Sequence, residues 1–371
     1  MAAALVALGT LAAASCAKDP ARSNGTPPAW TGDALDSEVI RAVVGRVADW
    51  QLEHPRYEPT DWTNAVFYPG LLAAHRLTGE PRYLETVIAI SERAQWRIGE
   101  RYRHADDHAI AQTYLELYRL RGDARSYADF RGAIERMKAQ SPDWPKEHQV
   151  VDYWWCDALF MSPPAIAMLA AATGESSYLE LLDRLWRESY DLLFDREQRL
   201  FHRDLRFRSE TRPRYWARGN GWVLAGLARL LDELPEDRES RAFYEGVFRD
   251  LGSRLVELQG ADGLWRSDLL DESPEATGET SGTALICFAL ARGMRSGVLD
   301  PDRYLDAVTT AWRALAGNVN EAGRLGRVQK PGVKPGRVST RHAEAYASGA
   351  FLLAAEQMVD LNLEGGDRVA Y

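Results

Sequence analysis

"LTGEPRYLETV" (residues 77–87), "LRGDARSYADF" (120–130) and "ATGESSYLELL" (172–182) are three versions of one turn, and they decide how the chain folds. In each, a glycine ends a helix in the left-handed conformation and an acidic residue follows. A tyrosine (Tyr83, Tyr127 or Tyr178) then packs at the start of the next helix. A helix–turn–helix unit that recurs at roughly 45–60 residues is the signature of a repeat of helical hairpins.

The rest of the chain agrees. From Leu35 onward, apolar residues fall at i, i+3, i+4 and i+7 in twelve stretches, about 35–52, 62–77, 81–97, 107–120, 124–139, 156–172, 176–193, 219–233, 238–258, 280–296, 301–316 and 341–360. Alternating β-branched runs are scarce, and short extended pieces are expected only near 197–217 and 262–268. Six hairpins predict an all-α fold, an (α/α)6 barrel with one helix of each pair inside and its partner outside. An open α-solenoid is the alternative. Against it stand the long loops at 98–106, 140–155, 195–217, 259–279 and 317–340, rich in Trp, His, Asp and Arg. Loops of that size in a compact domain are usually functional, and a barrel gathers them on one rim.

Composition bounds the function. The chain has 371 residues, 46% of them hydrophobic, and a net charge of −9, so it can bury a large core. The acidic balance argues against nucleic acid as a partner, because phosphate binding needs a basic surface. Twelve tryptophans and fifteen tyrosines suit either a sugar-binding cleft or an aromatic core.

Residues 1–30 read as a leader and polar linker, and residues 31–371 as a single barrel domain. The apolar run to Ala14 is too short to span a bilayer, which takes about 20 residues, and resembles a secretory signal. "AAASC" resembles a bacterial lipobox ending at Cys16. The expectation is export, to the periplasm or as an outer-membrane lipoprotein, with membrane attachment only through a lipidated Cys16. Cys156 and Cys287 lie in apolar surroundings and are expected as buried free thiols.

Three clusters carry candidate chemistry. In "RHADDHAIAQTYLELY" (103–118), Asp106 and Asp107 open a helix. Helix capping explains one of them, and leaves the second, with two flanking histidines, for a site. In "VVDYWWCDALFMSPPAIAMLA" (150–170), Asp157 stands among tryptophans and apolar residues. A carboxyl there should have a raised pKa and serve as a general acid; capping a helix that "SPP" kinks is the structural reading. "LFHRD" adds His202, a loop imidazole. In "YWARGNGWVLAGLARLL" (215–231), Trp216 and Trp222 flank Arg218 at a helix start. The indoles could carry a sugar ring and the guanidinium clamp a carboxylate, with Gly219 and Gly221 letting a ligand approach. The competing reading is an arginine stacked as a structural pin.

Together "DDHAIAQTYLELY", "WWCDALFMSPP", "YWARGNGWVLAGLARLL" and "ETSGTALICFALARG" resemble glycoside hydrolase family 105, the unsaturated rhamnogalacturonyl hydrolases, related to the unsaturated glucuronyl hydrolases of family 88. The resemblance runs from about Trp50 to Met358. It implies an (α/α)6 barrel that removes the terminal Δ4,5-unsaturated uronic acid from oligosaccharides left by polysaccharide lyases, with no metal or organic cofactor. Carried over, Asp157 matches the general acid, and an aspartate of "ADDHA", Asp107 preferred over Asp106, matches the second carboxylate. Trp155, His202, Trp216, Arg218 and Trp222 match pocket residues. His148 stands near an expected pocket histidine whose register falls on Lys146, a departure that leaves the leaving sugar open. Pectin-derived rhamnose and sulfated rhamnose of an ulvan-type polymer are both candidates. A glucuronyl hydrolase of glycosaminoglycan fragments, a sugar epimerase and a noncatalytic oligosaccharide-binding protein are the alternatives.

Overall fold

All three turn glycines adopt the left-handed conformation, with φ of 72°, 71° and 73° at Gly79, Gly122 and Gly174. Each amide closes its helix onto a carbonyl four residues back. The computed structural model describes residues 32–140, 151–208, 213–273 and 276–366. Residues 1–31, with Cys16, and residue His148 lie outside the described residues.

Twelve helices of eleven or more residues appear among the described residues: α1 (Ser37–Glu53), α2 (Phe67–Thr78), α3 (Pro81–Arg93), α4 (Ala105–Arg121), α5 (Ala128–Ala139), α6 (Pro163–Thr173), α7 (Ser177–Leu193), α8 (Ala217–Leu231), α9 (Arg241–Glu257), α10 (Thr280–Arg295), α11 (Pro301–Gly317) and α12 (Ala345–Gly366). The even-numbered helices form the inner ring. Each packs on the next, and α12 returns to α2, so the ring closes. The odd-numbered helices form the outer layer. This is the (α/α)6 barrel, and the closure excludes the open solenoid.

Burial separates the layers. On α8 every residue but Arg229 is buried, and on α10 every residue but Arg292 and Arg295. Outer helices such as α7 bury one face and expose Glu and Arg on the other, as amphipathic helices do. The turn tyrosines seat the outer layer: Tyr83 donates to Asp49 of α1 at 3.0 Å, and Tyr178 to Glu135 of α5 at 2.5 Å.

Three of the expected helices are divided, the third of them at the prolines expected to kink it. The stretch 62–77 divides at Val66 into a single turn, Trp62–Ala65, and α2. A 3₁₀ turn, Ala124–Tyr127, precedes α5. The stretch 156–172 breaks at Ser162, before Pro163 and Pro164, leaving the turn Ala158–Met161 ahead of α6. The extended pieces form two small hairpins, Phe194–Asp195 with Leu200–Phe201 and Trp265–Arg266 with Gly278–Glu279. Cys156 and Cys287 are free and buried, as expected.

Inner helices approach closely at glycines. A Cβ on Gly349 would lie 2.6 Å from the Val66 carbonyl oxygen and 2.7 Å from Phe67 Cα. One on Gly226 would lie 2.4 Å from the Leu159 oxygen. Both obstacles are backbone and cannot swing aside. Gly349→Ala should therefore destabilise the fold by about 1–3 kcal/mol, read as a lower denaturant midpoint at unchanged m-value. A wild-type midpoint would show that the ring is looser than this contact implies.

Candidate active site

The inner helices all begin at one end, so the loops that precede them make a single rim, and the six amino termini direct positive potential into it. Asp157 enters from the loop before α6. That loop is held by Tyr153, whose carbonyl accepts from Ser189 Oγ at 2.6 Å and whose hydroxyl meets Ser162 Oγ at 2.6 Å. The Cys156 amide donates to the Arg203 carbonyl at 2.9 Å. Asp157 stands at the helix-capping position but makes no side-chain cap, so its carboxyl is left for other chemistry. Cys156 Sγ donates to Asp157 Oδ1 at 3.3 Å.

Gly219, in the first turn of α8, joins two of the sequence clusters. A Cβ there would stand 2.9 Å from Cys156 Sγ and 3.5 Å from Asp157 Oδ1. Gly221 in the same way admits the Gly282 carbonyl and Leu285. At these glycines the loop of Cys156 and the start of the neighbouring inner helix approach α8 closely.

Asp106 and Asp107 separate. His104 caps α4, its Nδ1 accepting from the Asp106 amide at 3.3 Å, so neither aspartate is the cap. Asp107 fills the space beside Gly99, accepts from the Arg101 amide at 2.8 Å and pairs with the Arg101 guanidinium. It ties down the loop before α4. Asp106 instead lies with Oδ2 3.9 Å from His104 Nδ1. Its carboxyl is pushed up to about 7 by burial and then by the charge of Asp157. The charge of Asp157 thus bears on Asp106, while the preferred Asp107 is engaged by Arg101. His104, lowered to about 4 by burial and by Arg101, is a neutral imidazole 4.8 Å from the Trp155 ring.

Arg218 is held on all sides. It is 1% exposed, with its guanidinium 4.2 Å from the Trp216 ring and 4.9 Å from that of Tyr346. Nη1 donates to the Gln329 carbonyl at 2.6 Å and Nη2 to the Lys330 carbonyl at 3.1 Å. Trp216 Nε1 donates to Gln329 Oε1 at 2.8 Å. This is the geometry of the competing reading, a structural pin: the fork expected to clamp a carboxylate faces protein oxygens. Trp216, Trp222 and Trp155 are buried as well. The rim rings that keep partial exposure beside them are Trp62, stacked on Tyr346 at 5.2 Å, and Trp154, 5.1 Å from Trp155. His202 is also buried, 4.9 Å from Tyr215 and with Nε2 3.7 Å from Asp195 Oδ2, so it is part of the hairpin corner and not an open loop.

Sequence reasoning missed Trp62, Tyr346, Gln329 and Arg203. Trp62 opens the stretch 62–77, where helical periodicity accounts for an apolar ring without a site. Gln329 meets Trp216 across 113 residues, a pairing with no local signal.

Comparison with known proteins places this geometry. The family model described as Glycosyl Hydrolase Family 88 matches residues 38–362. A curated protein of Formosa agariphila named unsaturated 3S-rhamnoglycuronyl hydrolase is 36% identical over 349 residues, covering 88% of this chain and 92% of that protein. Among solved structures, a family 88 glycosyl hydrolase from Bacteroides vulgatus is 27% identical, with a TM-score of 0.80 over 87% of this chain and 99% of that one. A possible family 105 member from Salmonella enterica, 16% identical over 88% of this chain and 95% of that one, shares the fold with a TM-score of 0.73. The chain belongs to glycosyl hydrolase family 88 and is a glycoside hydrolase.

The pin has a measurable consequence. Arg218→Lys cannot satisfy both carbonyls and loses the planar stack. Buried acceptors left unmet cost about 1–3 kcal/mol each, so this variant should unfold at a clearly lower denaturant concentration. Wild-type stability with a raised KM would instead return Arg218 to the role of substrate clamp.

Proposed function

We propose that this enzyme removes the terminal Δ4,5-unsaturated uronic acid from lyase-generated oligosaccharides, with Asp157 and Asp106 as its reacting pair. The single observation that carries the reading is that pair: two carboxyls in a rim of helix amino termini, with Asp106 pushed up to about 7 by burial and then by the charge of Asp157. The name of the 36%-identical relative supports the substrate class.

An unsaturated uronic acid holds a C4=C5 enol ether conjugated with its carboxylate. Asp157 delivers the proton to C4, and positive charge develops at C5 and the ring oxygen. The pair, now without its proton, takes one from water as the water oxygen bonds to C5. The hemiketal opens by breaking the bond from C5 to the ring oxygen, and the hemiacetal left at C1 releases the second sugar. One water is consumed, and the pair recovers its proton. This differs from hydrolysis at the anomeric carbon, where two separated carboxylates flank the scissile bond. The helix amino termini attract the substrate carboxylate, and Trp62 and Trp154 offer apolar faces to the sugar rings.

Loss of the ultraviolet absorbance of the conjugated enol ether reads the reaction directly. Wild type should bleach lyase-digested rhamnogalacturonan or ulvan, and Asp157→Asn should be slower by about 10²–10⁴-fold, the range of general acid catalysis. No bleaching by wild type on either digest would sink the reading. The pH profile adds a second check. Because the folded-state pKa of Asp106 is raised to about 7, its proton is present below that pH and lost as pH rises through it. Activity should fall on the alkaline side with a midpoint near 7, and Asp106→Asn should abolish that limb. A limb retained in Asp106→Asn would assign it elsewhere.

A further inference from the structure

Two polar side chains of α4, His108 and Gln112, are fully buried, and the mechanism above does not use them. They stand four residues apart and so share one face of the helix. That face meets the short turn Ala158–Met161, which Asp157 opens and Ser162 ends.

The hydrogen bonds have a definite direction. His108 Nε2 lies 2.8 Å from the Tyr102 carbonyl, which can only accept, so Nε2 carries the proton. Burial holds the ring down to about 4, so it is neutral at working pH and Nδ1 is an acceptor. Nδ1 takes the Ser162 hydroxyl at 2.7 Å, and Ser162 Oγ in turn accepts from the Tyr153 hydroxyl at 2.6 Å. Gln112 Oε1 accepts from Arg229 Nε at 2.7 Å, which leaves its amide group to donate to the Phe160 carbonyl at 2.9 Å.

The prolines explain why the turn depends on these bonds. In an unbroken helix the Leu159 and Phe160 carbonyls would accept from residues 163 and 164. Both are proline and have no N–H to give. Gln112 meets the Phe160 oxygen from α4, and the Leu159 oxygen lies against Gly226 of α8. The break at Ser162 thus releases a carbonyl and a hydroxyl from the turn, and α4 takes both. The same α4 carries Asp106 in its first turn.

We propose that His108, Ser162 and Gln112 are positioning residues that dock the turn of Asp157 onto the helix of Asp106 and so set the separation of the two carboxyls. This rests on the proposed function and adds what holds its reacting pair in register. Four residues that end at two prolines cannot fix themselves, whereas two bonds one helical turn apart fix both the height and the rotation of the turn. A displacement of about 1 Å at a reacting group can cost roughly a hundredfold in rate.

Ser162→Ala removes the hydroxyl, and Gln112→Met removes the amide with little change in side-chain length. Both are assayed by bleaching of whichever lyase digest wild type turns over faster, with a denaturant midpoint taken on the same preparation. Tyr178→Phe, in the outer layer, is the control. In the two test variants kcat should fall about 10–100-fold, with KM within about twofold of wild type. The alkaline midpoint should also move. The charges that act on Asp106 are those of Asp157 and Asp107, which raise it, and of Arg101 and Arg203, which lower it. A turn released from α4 carries Asp157 away, the repulsion weakens, and Asp106 loses its proton at a lower pH. Tyr178→Phe should unfold more easily while keeping the rate and the pH midpoint of wild type.

A test variant of reduced stability but wild-type kcat and pH midpoint would overturn the inference, because its bond would then serve folding alone. A rate that falls as far in Tyr178→Phe would do the same. The two test variants sever different bonds to one turn, so either carries the test if the other does not fold. No bleaching by wild type would instead remove the proposed function itself.

Discussion

The bore of the inner ring is the constraint on which the rest of this molecule depends. Six helices close into a ring this tight only where neighbouring backbones almost touch, and at those crossings the sequence has glycine. Gly70 and Gly349 meet between α2 and α12, and Gly282 meets Ala217 and Arg218 between α10 and α8. With the ring closed, inner helices have no solvent face, so they can be apolar all round. Their partners must then carry the polar surface. Closure also dictates that every outer-to-inner connection ends at the same rim. The site is a consequence of this topology before any catalytic residue is considered.

At the rim, position comes from loops bonded to distant loops. Arg103 Nε reaches Asp152 at 2.9 Å, joining the loop before α4 to the one before α6. The Arg203 carbonyl joins the latter to the loop before α8. Arg218 joins the start of α8 to the loop before α12. The buried Glu279 caps α10 by accepting from the Ser281 and Gly282 amides, and its charge faces Arg218. Asp106 and Asp157 are aligned by this network and not by adjacency on one helix. A buried arginine among carbonyls and rings ties two distant elements together here, whatever role its residue type invites.

That distinction marks where the sequence is legible. Helix periodicity, the glycine turns with their tyrosines and the proline break at Ser162 are local properties, and each is visible in a window of a few residues. The motif residues were also identifiable as a group, since acids and indoles at helix starts are costly unless something uses them. Their division of labour was not. Whether Asp106 or Asp107 turns inward depends on Gly99 and Arg101, which precede them in a loop without regular geometry. Whether Arg218 faces solvent or protein depends on the carbonyls of Gln329 and Lys330, more than a hundred residues away. Burial of Trp216 and Trp222, and exposure of Trp62 and Trp154, follow from the same long-range closure.

The two ends of the barrel carry opposite electrostatic problems, and the side chains answer both. At the base, six helix carboxyl termini converge on a cavity of about 360 Å³, where their partial negative charge adds to that of Glu116, Asp232, Glu233, Glu356 and Asp360. Five arginines meet it. Arg229 pairs with Glu116 at 2.6 Å, Arg76 with Glu356 at 2.5 Å, Arg292 with Asp232 at 3.0 Å and Arg295 with Asp360 at 2.7 Å; Arg119 pairs with Glu233. At the rim the sign reverses, and carboxyls at the helix starts are favoured where they would be penalised at the base. Asp106, near the start of α4, and Glu279, at the start of α10, draw on that potential. Their burial works against it and holds both pKa values up. A uronate entering this field is attracted carboxylate-first toward the helix ends.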